Sequence, residues 1–335
     1  MTAPLLEIRG LTRTFGGGRR WFGPQRPGVQ AVQGIDLDVL RGETLGIVGE
    51  SGCGKSTLAR LLVGLDAPTA GSIRYAGEDL QALRRRDRHA LSRRIQYVFQ
   101  DPLSSLNPRR RIRDILAAPL RHLRGMRGQG LERRLGELLE VVNLRPEFID
   151  RYPHEFSGGQ AQRIGIARAL AAEPELLVLD EPVSALDVSV QAQVLKLLRR
   201  LKAEFDLTYL FISHDLSVVE TISDRIAVMY FGRVIEQAPA RALFRTPAHP
   251  YTRLLLGSAP VPGGPAIQAE SGDAELPDPL APPPGCAFAP RCPRARAHCR
   301  GAPPPLDPLS GRERHAAACY YPVEGAWQRQ APPPP

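Results

Sequence analysis

Nowhere in these 335 residues does an apolar run approach the roughly 18 residues needed to cross a bilayer, so no segment is expected to span a membrane. Met1-Thr-Ala-Pro also lacks the basic-then-apolar pattern of an export signal, and a cytosolic chain is the expectation. Aromatic residues are scarce, at 6%. Almost none interleave with the arginine clusters Arg84-Arg85-Arg86, Arg93-Arg94 and Arg109-Arg110-Arg111, which weighs against single-stranded nucleic acid, whose bases stack on aromatic rings. A net charge of +9 then reads as a solvated or membrane-facing surface, with no nucleic acid expected as partner. Cysteine is absent between Cys53 and Cys286, and a structural disulfide framework is not expected in a reducing compartment.

What is present begins with Gly49-Glu50-Ser51-Gly52-Cys53-Gly54-Lys55-Ser56-Thr57. It follows the apolar Leu45–Val48 and precedes the helical-looking Leu58–Val63. Strand, glycine-rich loop and helix N-terminus are the order that a P-loop, or Walker A motif, requires. Backbone N–H groups in such a loop wrap a phosphate, and the helix dipole adds partial positive charge at the same point. Lys55 can reach the β- and γ-phosphates, and Ser56 can offer its hydroxyl to Mg²⁺. Cys53 fills a variable position of the loop.

Downstream, Leu176–Leu179 reads as a buried strand ending in Asp180-Glu181, a Walker B pattern. Asp180 is placed to hold Mg²⁺ and Glu181 to act as general base on the attacking water. Alone, such a carboxylate pair more often caps a loop; beside a Walker A segment it supplies the second ligand that the metal needs. Ser157-Gly158-Gly159-Gln160 differs in kind. Two glycines after a serine at a helix start make a further anion-binding surface from backbone N–H groups, so the chain carries two phosphate cradles.

With these residues in view, the sequence resembles the ATP-binding-cassette (ABC) ATPases. Gln100, after Ile95–Phe99, matches the Q-loop glutamine, which the resemblance makes a second Mg²⁺ contact. Ser184-Ala185-Leu186-Asp187 matches the D-loop and His214, after Tyr209–Ser213, the switch histidine. Phe15 is the best match for the aromatic that stacks on adenine, with Trp21 and Phe22 behind it. Each match is weak alone; six in order over roughly 200 residues are far beyond the false-positive risk of one pattern. The resemblance implies an ATPase whose catalytic residues are Glu181 and His214. It also implies head-to-tail pairing of two cassettes, each Ser157–Gln160 segment completing the partner's site.

The implied fold is α/β: a P-loop core with a mostly parallel sheet, antiparallel N-terminal strands, a helical subdomain and a small Cys-rich C-terminal appendage. The residues agree. Leu5–Leu11 and Gly34–Val39 read as short strands, Leu45–Val48, Leu176–Leu179 and Tyr209–Ser213 as buried parallel ones, and Ile226–Tyr230 with Arg233–Glu236 as a late hairpin. Val190, Val194, Leu197, Leu198 and Leu201 share one helix face. The expected layout is an ATPase domain over 1–259 with its helical part near 101–165. A Pro/Gly-rich linker follows over 260–284, then a Cys-rich segment over 285–322 and a disordered tail over 323–335.

Gln100–Pro108, Arg151–Gln160 and His249-Pro250-Tyr251-Thr252-Arg253 narrow the resemblance to the dipeptide/oligopeptide importer branch, and the Trp21-Phe22 insertion to its second ATPase subunit. That branch implies a distinct but related ATPase as dimer partner, two integral membrane permease subunits, and an extracytoplasmic binding protein acting indirectly. It places the chain at the cytoplasmic face of the membrane as a peripheral subunit. The alternatives are a soluble ABC ATPase acting on nucleic acid or ribosomes, an exporter ATPase, or an importer of a nickel complex or sugar.

Cys286, Cys292, Cys299 and Cys319 lie within 34 residues. Four thiolates suit zinc or an iron–sulfur cluster, and gaps of five, six and nineteen residues disfavour zinc ribbons. In the importer branch some members hold a 4Fe–4S cluster in this segment, so the resemblance implies one here. Lying apart from the Walker A residues in sequence, the segment is expected to leave ATP binding nearly untouched when Cys292 is replaced.

Overall fold

The computed structural model describes residues 3–17, 28–258 and 277–327. Trp21 and Phe22, and most of the expected linker, lie outside them. β1 (Pro4–Gly16) and β2 (Gly28–Leu40) form an antiparallel pair. Both run well past the short strands expected, because register shifts along the pair absorb residues that break strict alternation. β3 (Thr44–Val48) is buried at every residue and feeds α1 (Lys55–Leu62). β4 (Ala70–Tyr75) and β5 (Glu78–Asp79) complete an antiparallel sheet of order β2-β1-β4-β5. α2 (Leu80–Arg86) and α3 (Arg88–Arg94) are capped by Asp79 and Asp87, which accept from the Ala82 and Ala90 amides. β6 (Ile95–Val98) follows.

The strand-free region then holds α4 (Ile112–Arg124), α5 (Gly128–Val141), two short 3₁₀ turns and α6 (Gly158–Leu170). β7 (Leu176–Asp180) leads to α7 (Val188–Phe205), whose Val194, Leu197, Leu198 and Leu201 are buried as the periodicity requires. β8 (Thr208–Ile212), α8 (Leu216–Ile222), β9 (Arg225–Tyr230), β10 (Arg233–Pro239), α9 (Ala240–Arg245) and α10 (Pro250–Gly257) complete the main body. The C-terminal segment adds β11 (Asp307–Pro308) and β12 (Ala316–Ala317).

The second sheet has the order β11-β12-β10-β9-β3-β8-β7-β6. Pairing of β9, β3, β8, β7 and β6 is parallel throughout. Ile212 pairs with Ile47 on one side and Asp180 on the other, so the C-terminal ends of β3, β8 and β7 are level. In an open parallel sheet that edge is where ligands bind.

The C-terminal segment does not stand apart from this body. β12 pairs antiparallel with β10, and Phe288, 2% exposed, packs its ring against Tyr230 and Tyr251 at 5.5 and 5.4 Å. Glu236 of β10, fully buried, accepts from the Ala248 and His249 amides and contacts His315 Nε2 at 2.7 Å. Burial alone would raise the Glu236 carboxyl, but the bonds from His315 and the two amides hold it below its ordinary value. One buried carboxylate thus ties β10, the start of α10 and the tail together.

His249 caps α10 by accepting the Tyr251 amide on Nδ1, a role only the neutral ring can play. Burial pushes its pKa from 6.5 down to about 4, and the nearby Glu236 carboxylate only partly opposes this. The unfolded chain therefore takes up this proton first, and stability present above pH 6.5 is lost as the pH falls toward 4. The loss should reach about 3 kcal/mol across the window. His249→Asn keeps a capping acceptor without a titrating ring, so its urea midpoint should vary less between pH 7 and pH 5 than that of the wild type. Equal slopes would refute the assignment.

Candidate functional site

The loop from Gly49 to Gly54 turns at the end of β3 and enters α1, whose first residues are Lys55 and Ser56. Gly54 has φ +104°, and a Cβ there would lie 2.2 Å from the Ala31 carbonyl oxygen, so only glycine fits. Ser51, Gly52, Gly54, Lys55, Ser56 and Thr57 line a cavity of about 490 Å³. The other walls are Ala31 of β2 and Gln100, Glu181 and His214, which follow β6, β7 and β8. The Lys55 ammonium, nearly buried, donates to the Gly49 and Glu50 carbonyls at 2.7 and 3.0 Å. Cys53 is buried with its thiol pushed up by that burial; it fills space behind the loop and does not line the cavity.

Glu181 sits opposite the loop in the left-handed region at φ +48°, a strained conformation for a residue with a Cβ. Its amide donates to the Ile212 carbonyl, which aims the side chain off the strand edge. Gln100 Nε2 donates to one carboxylate oxygen at 2.9 Å, and His214 Nδ1 lies 3.1 Å from the other. Asp180, 3% exposed, accepts from the Tyr97 hydroxyl on Oδ2 at 2.5 Å, while its Oδ1 is buried with no partner. An orphaned buried carboxylate oxygen is costly, and it fits the donor set of a divalent cation. Burial, then the Asp180 charge, pushes the Tyr97 phenol far up and keeps it a donor. The sequence reading missed Tyr97. The short run Ile95–Val98 does not alternate, and only strand order sets Tyr97 level with Val178 of β7, beside Asp180.

Other expected residues lie outside the cavity. Phe15 stands near the end of β1, 38% exposed, with the Arg13 guanidinium 4.5 Å from its ring centroid. Gly49 and Glu50 form the back of the loop and do not line the cavity. Ser157 and Gln160 close a reciprocal capping box at the start of α6. A Cβ on Gly159 would lie 2.3 Å from Val190 of α7, so that glycine is fixed by packing. Ser157 and Gly158 are exposed and the whole segment lies outside the cavity walls, as a surface available to a second molecule would be. In the D-loop, Ser184 Oγ donates to the Glu181 carbonyl and Asp187 caps α7.

All four tail cysteines line one further cavity, and the Cys286 amide donates to the Cys299 carbonyl. Burial pushes the thiols of Cys286 and Cys292 up, and that of Cys319 to about 11. Among the described residues, no three His, Cys, Asp or Glu side chains are gathered closely enough to hold a single metal ion, so the iron–sulfur expectation gains no direct support here. No helix among them is long and apolar enough to cross a membrane.

Comparison with known proteins gives the same picture. The family described as ABC transporter matches residues 32–184, and the family described as oligopeptide/dipeptide transporter, C-terminal region, matches residues 235–299. The oligopeptide transport ATP-binding protein OppF of Escherichia coli (strain K12) is 47% identical over 94% of this chain and 95% of its own length. The di/tripeptide transport ATP-binding protein DppF of Pseudomonas aeruginosa (strain UCBPP-PA14) is 45% identical over 95% of this chain and 97% of its own length. Among solved structures, a dimeric post-hydrolysis state of the ATP-binding cassette MJ0796 bound to ADP and Pi superposes with TM-score 0.61 at 30% identity, covering 70% of this chain and 99% of that one.

The Gly54 geometry supplies a test of the cavity. Gly54→Ala should cost about 1–3 kcal/mol from the forced left-handed backbone and the clash with Ala31. It should weaken nucleotide binding by about tenfold or more, read by titration with a fluorescent ATP analogue. A folded variant with wild-type affinity would remove the loop from the site.

Proposed function

The chain belongs to the ABC transporter ATP-binding proteins of the oligopeptide/dipeptide branch, and on that premise we propose how its own residues divide the work. It is an ATPase that powers peptide import through a membrane transporter. The readings as a soluble nucleic-acid or ribosome ATPase gain no support from these relatives.

The single observation that carries the mechanism is the Glu181 carboxylate, held between Gln100 and His214 across the cavity from Lys55 and Ser56. We assign Glu181 as the general base for the attacking water. His214 orients that carboxylate from one side and approaches the terminal phosphate from the other. Lys55, held along the loop by the Gly49 and Glu50 carbonyls, meets the β- and γ-phosphates, and the N–H groups at the start of α1 bind phosphate oxygens with the helix dipole. Asp180 with its orphaned Oδ1, Ser56 and Gln100 are the residues that would hold Mg²⁺, which neutralises charge on the phosphates when bound. Phe15 remains the proposed adenine contact, its exposure leaving the ring free to stack.

Exposure of Ser157 and Gly158 at the start of α6 supports a dimer in which each Ser157–Gln160 segment closes the other subunit's ATP site, the partner here being a related, distinct ATPase. Gln100, Asp101, Leu103, Ser104 and Asn107 are exposed around the buried Pro102 and Leu106, and this supports docking to cytoplasmic helices of two permease subunits. The chain then works as a peripheral subunit at the cytoplasmic face, with a binding protein delivering substrate outside. For the tail, the four cysteines line one cavity, and their gaps of five, six and nineteen residues favour a 4Fe–4S cluster over zinc. Such a group would act as a structural staple, its iron bonds replacing thiol protons that burial now retains.

Glu181→Gln keeps the shape and removes the base. ATP should still bind, while steady-state hydrolysis by the assembled transporter falls about 10²-fold or more. Near-normal turnover would eliminate Glu181 as the base. For the tail, anaerobically purified protein should be brown with about four irons per chain. Colourless protein with one zinc would replace the cluster by a mononuclear site, and protein without metal would reject both.

A further inference from the structure

Glu50 is the one charged side chain inside the Gly49–Gly54 loop, and it turns away from the cavity. Its carboxylate is held in a two-pronged pair by Arg291 of the C-terminal segment, Nη1 to Oε2 at 3.0 Å and Nη2 to Oε1 at 3.1 Å. The Arg291 side chain is only 13% exposed and that of Glu50 28%, so water screens the pair poorly. The guanidinium lies against Tyr230 and Phe288, at 6.0 and 5.8 Å from their ring centroids. The loop is fastened at the same residue twice more. The Glu50 amide donates to the Tyr251 hydroxyl at 3.0 Å, and its carbonyl accepts from the Lys55 ammonium. A single residue therefore joins the tail, α10 and the residue that meets the phosphates.

We propose that Arg291 is a positioning residue for the ATP site: through Glu50 the C-terminal segment holds the phosphate-binding loop, and the integrity of the tail sets nucleotide affinity. The physical route is short. With its carboxylate pinned by a planar, bidentate partner, Glu50 cannot rotate its peptide, and its carbonyl keeps Lys55 extended across the loop. Without Arg291, the carboxylate would turn to solvent and the loop would lose its only side-chain tether to the tail among the described residues. Lys55 would then sample positions unfit for phosphate. Arg291 precedes Cys292 directly and closes the 3₁₀ turn Ala289–Arg291, its amide bonded to the Phe288 carbonyl. Whatever orders the cysteines therefore orders this arginine. On this proposal a change at Cys292 reaches the ATP site, because segments far apart in sequence meet at Glu50.

The inference rests on the ATP-site reading, and the test separates the two. In the full-length chain, Arg291→Gln and Glu50→Gln should each raise the Kd for a fluorescent ATP analogue about tenfold, and the double variant should be no worse than either alone. In the assembled transporter, KM for ATP should rise more than kcat falls. Arg291→Lys, which offers one prong, should recover part of the loss. Arg312→Gln cuts another attachment of the tail, to the Thr246 carbonyl, away from the loop, and should leave Kd unchanged. If Arg291→Gln fails to fold, Glu50→Gln alone decides, since it leaves the tail's own packing intact. Wild-type affinity in Glu50→Gln, additive losses in the double variant, or an equal loss in Arg312→Gln would overturn the proposal. A wild-type chain that binds no ATP would instead overturn the site reading itself.

Discussion

Ile212 lies level with Ile47 on one side and with Asp180 on the other, and this parallel register is what the remaining structure depends on. Because β3, β8 and β7 end together, the loops that leave them open onto one edge and face one another. The glycine-rich loop lies more than a hundred residues before Glu181 and His214, yet all three share a cavity. These strands are buried at every residue, so a slip by one position would exchange the two faces of each strand and separate the loops. The rigidity of the site is therefore a property of the sheet, not of the loops.

Two residues at this edge carry local costs that the sheet sustains. Glu181 adopts a left-handed backbone, and Asp180 buries an oxygen without a partner. Both are held by neighbours with partners of their own: the Ile212 carbonyl fixes the Glu181 amide and Tyr97 holds the second Asp180 oxygen. Strain and an unmet polar atom at the same strand end are the form a site takes when it is prepared for a charged ligand.

The C-terminal segment depends on the main body in a comparable way. It contributes little apolar surface of its own, so its order comes from contacts with β10, Tyr230, Tyr251 and Glu236. Glu236 is satisfied by two amides and His315, which is why a fully buried carboxylate can persist there in charged form. The strongly basic composition is likewise absorbed in part by local pairs. Arg225 meets Glu43 near the core, and Arg113 meets both Asp150 and Glu132 on the helical region.

The sequence by itself determined the elements whose signal is local. Leu45–Val48 and Leu176–Leu179 read as buried strands because every residue is apolar, and Val194–Leu201 as a helix from its period. Lys55, Ser56, Asp180 and Glu181 were legible because phosphate and metal chemistry demands those types beside a glycine loop and a strand end. Only the tertiary structure decided what depends on meetings across the chain. Tyr97 reaches Asp180 through strand order, β12 finds β10 with two residues and no periodicity, and Arg291 reaches Glu50 from 241 positions away. A local pattern reports how a segment folds against a generic core. A single long-range pair leaves no period and no composition bias, and only packing brings its two ends together.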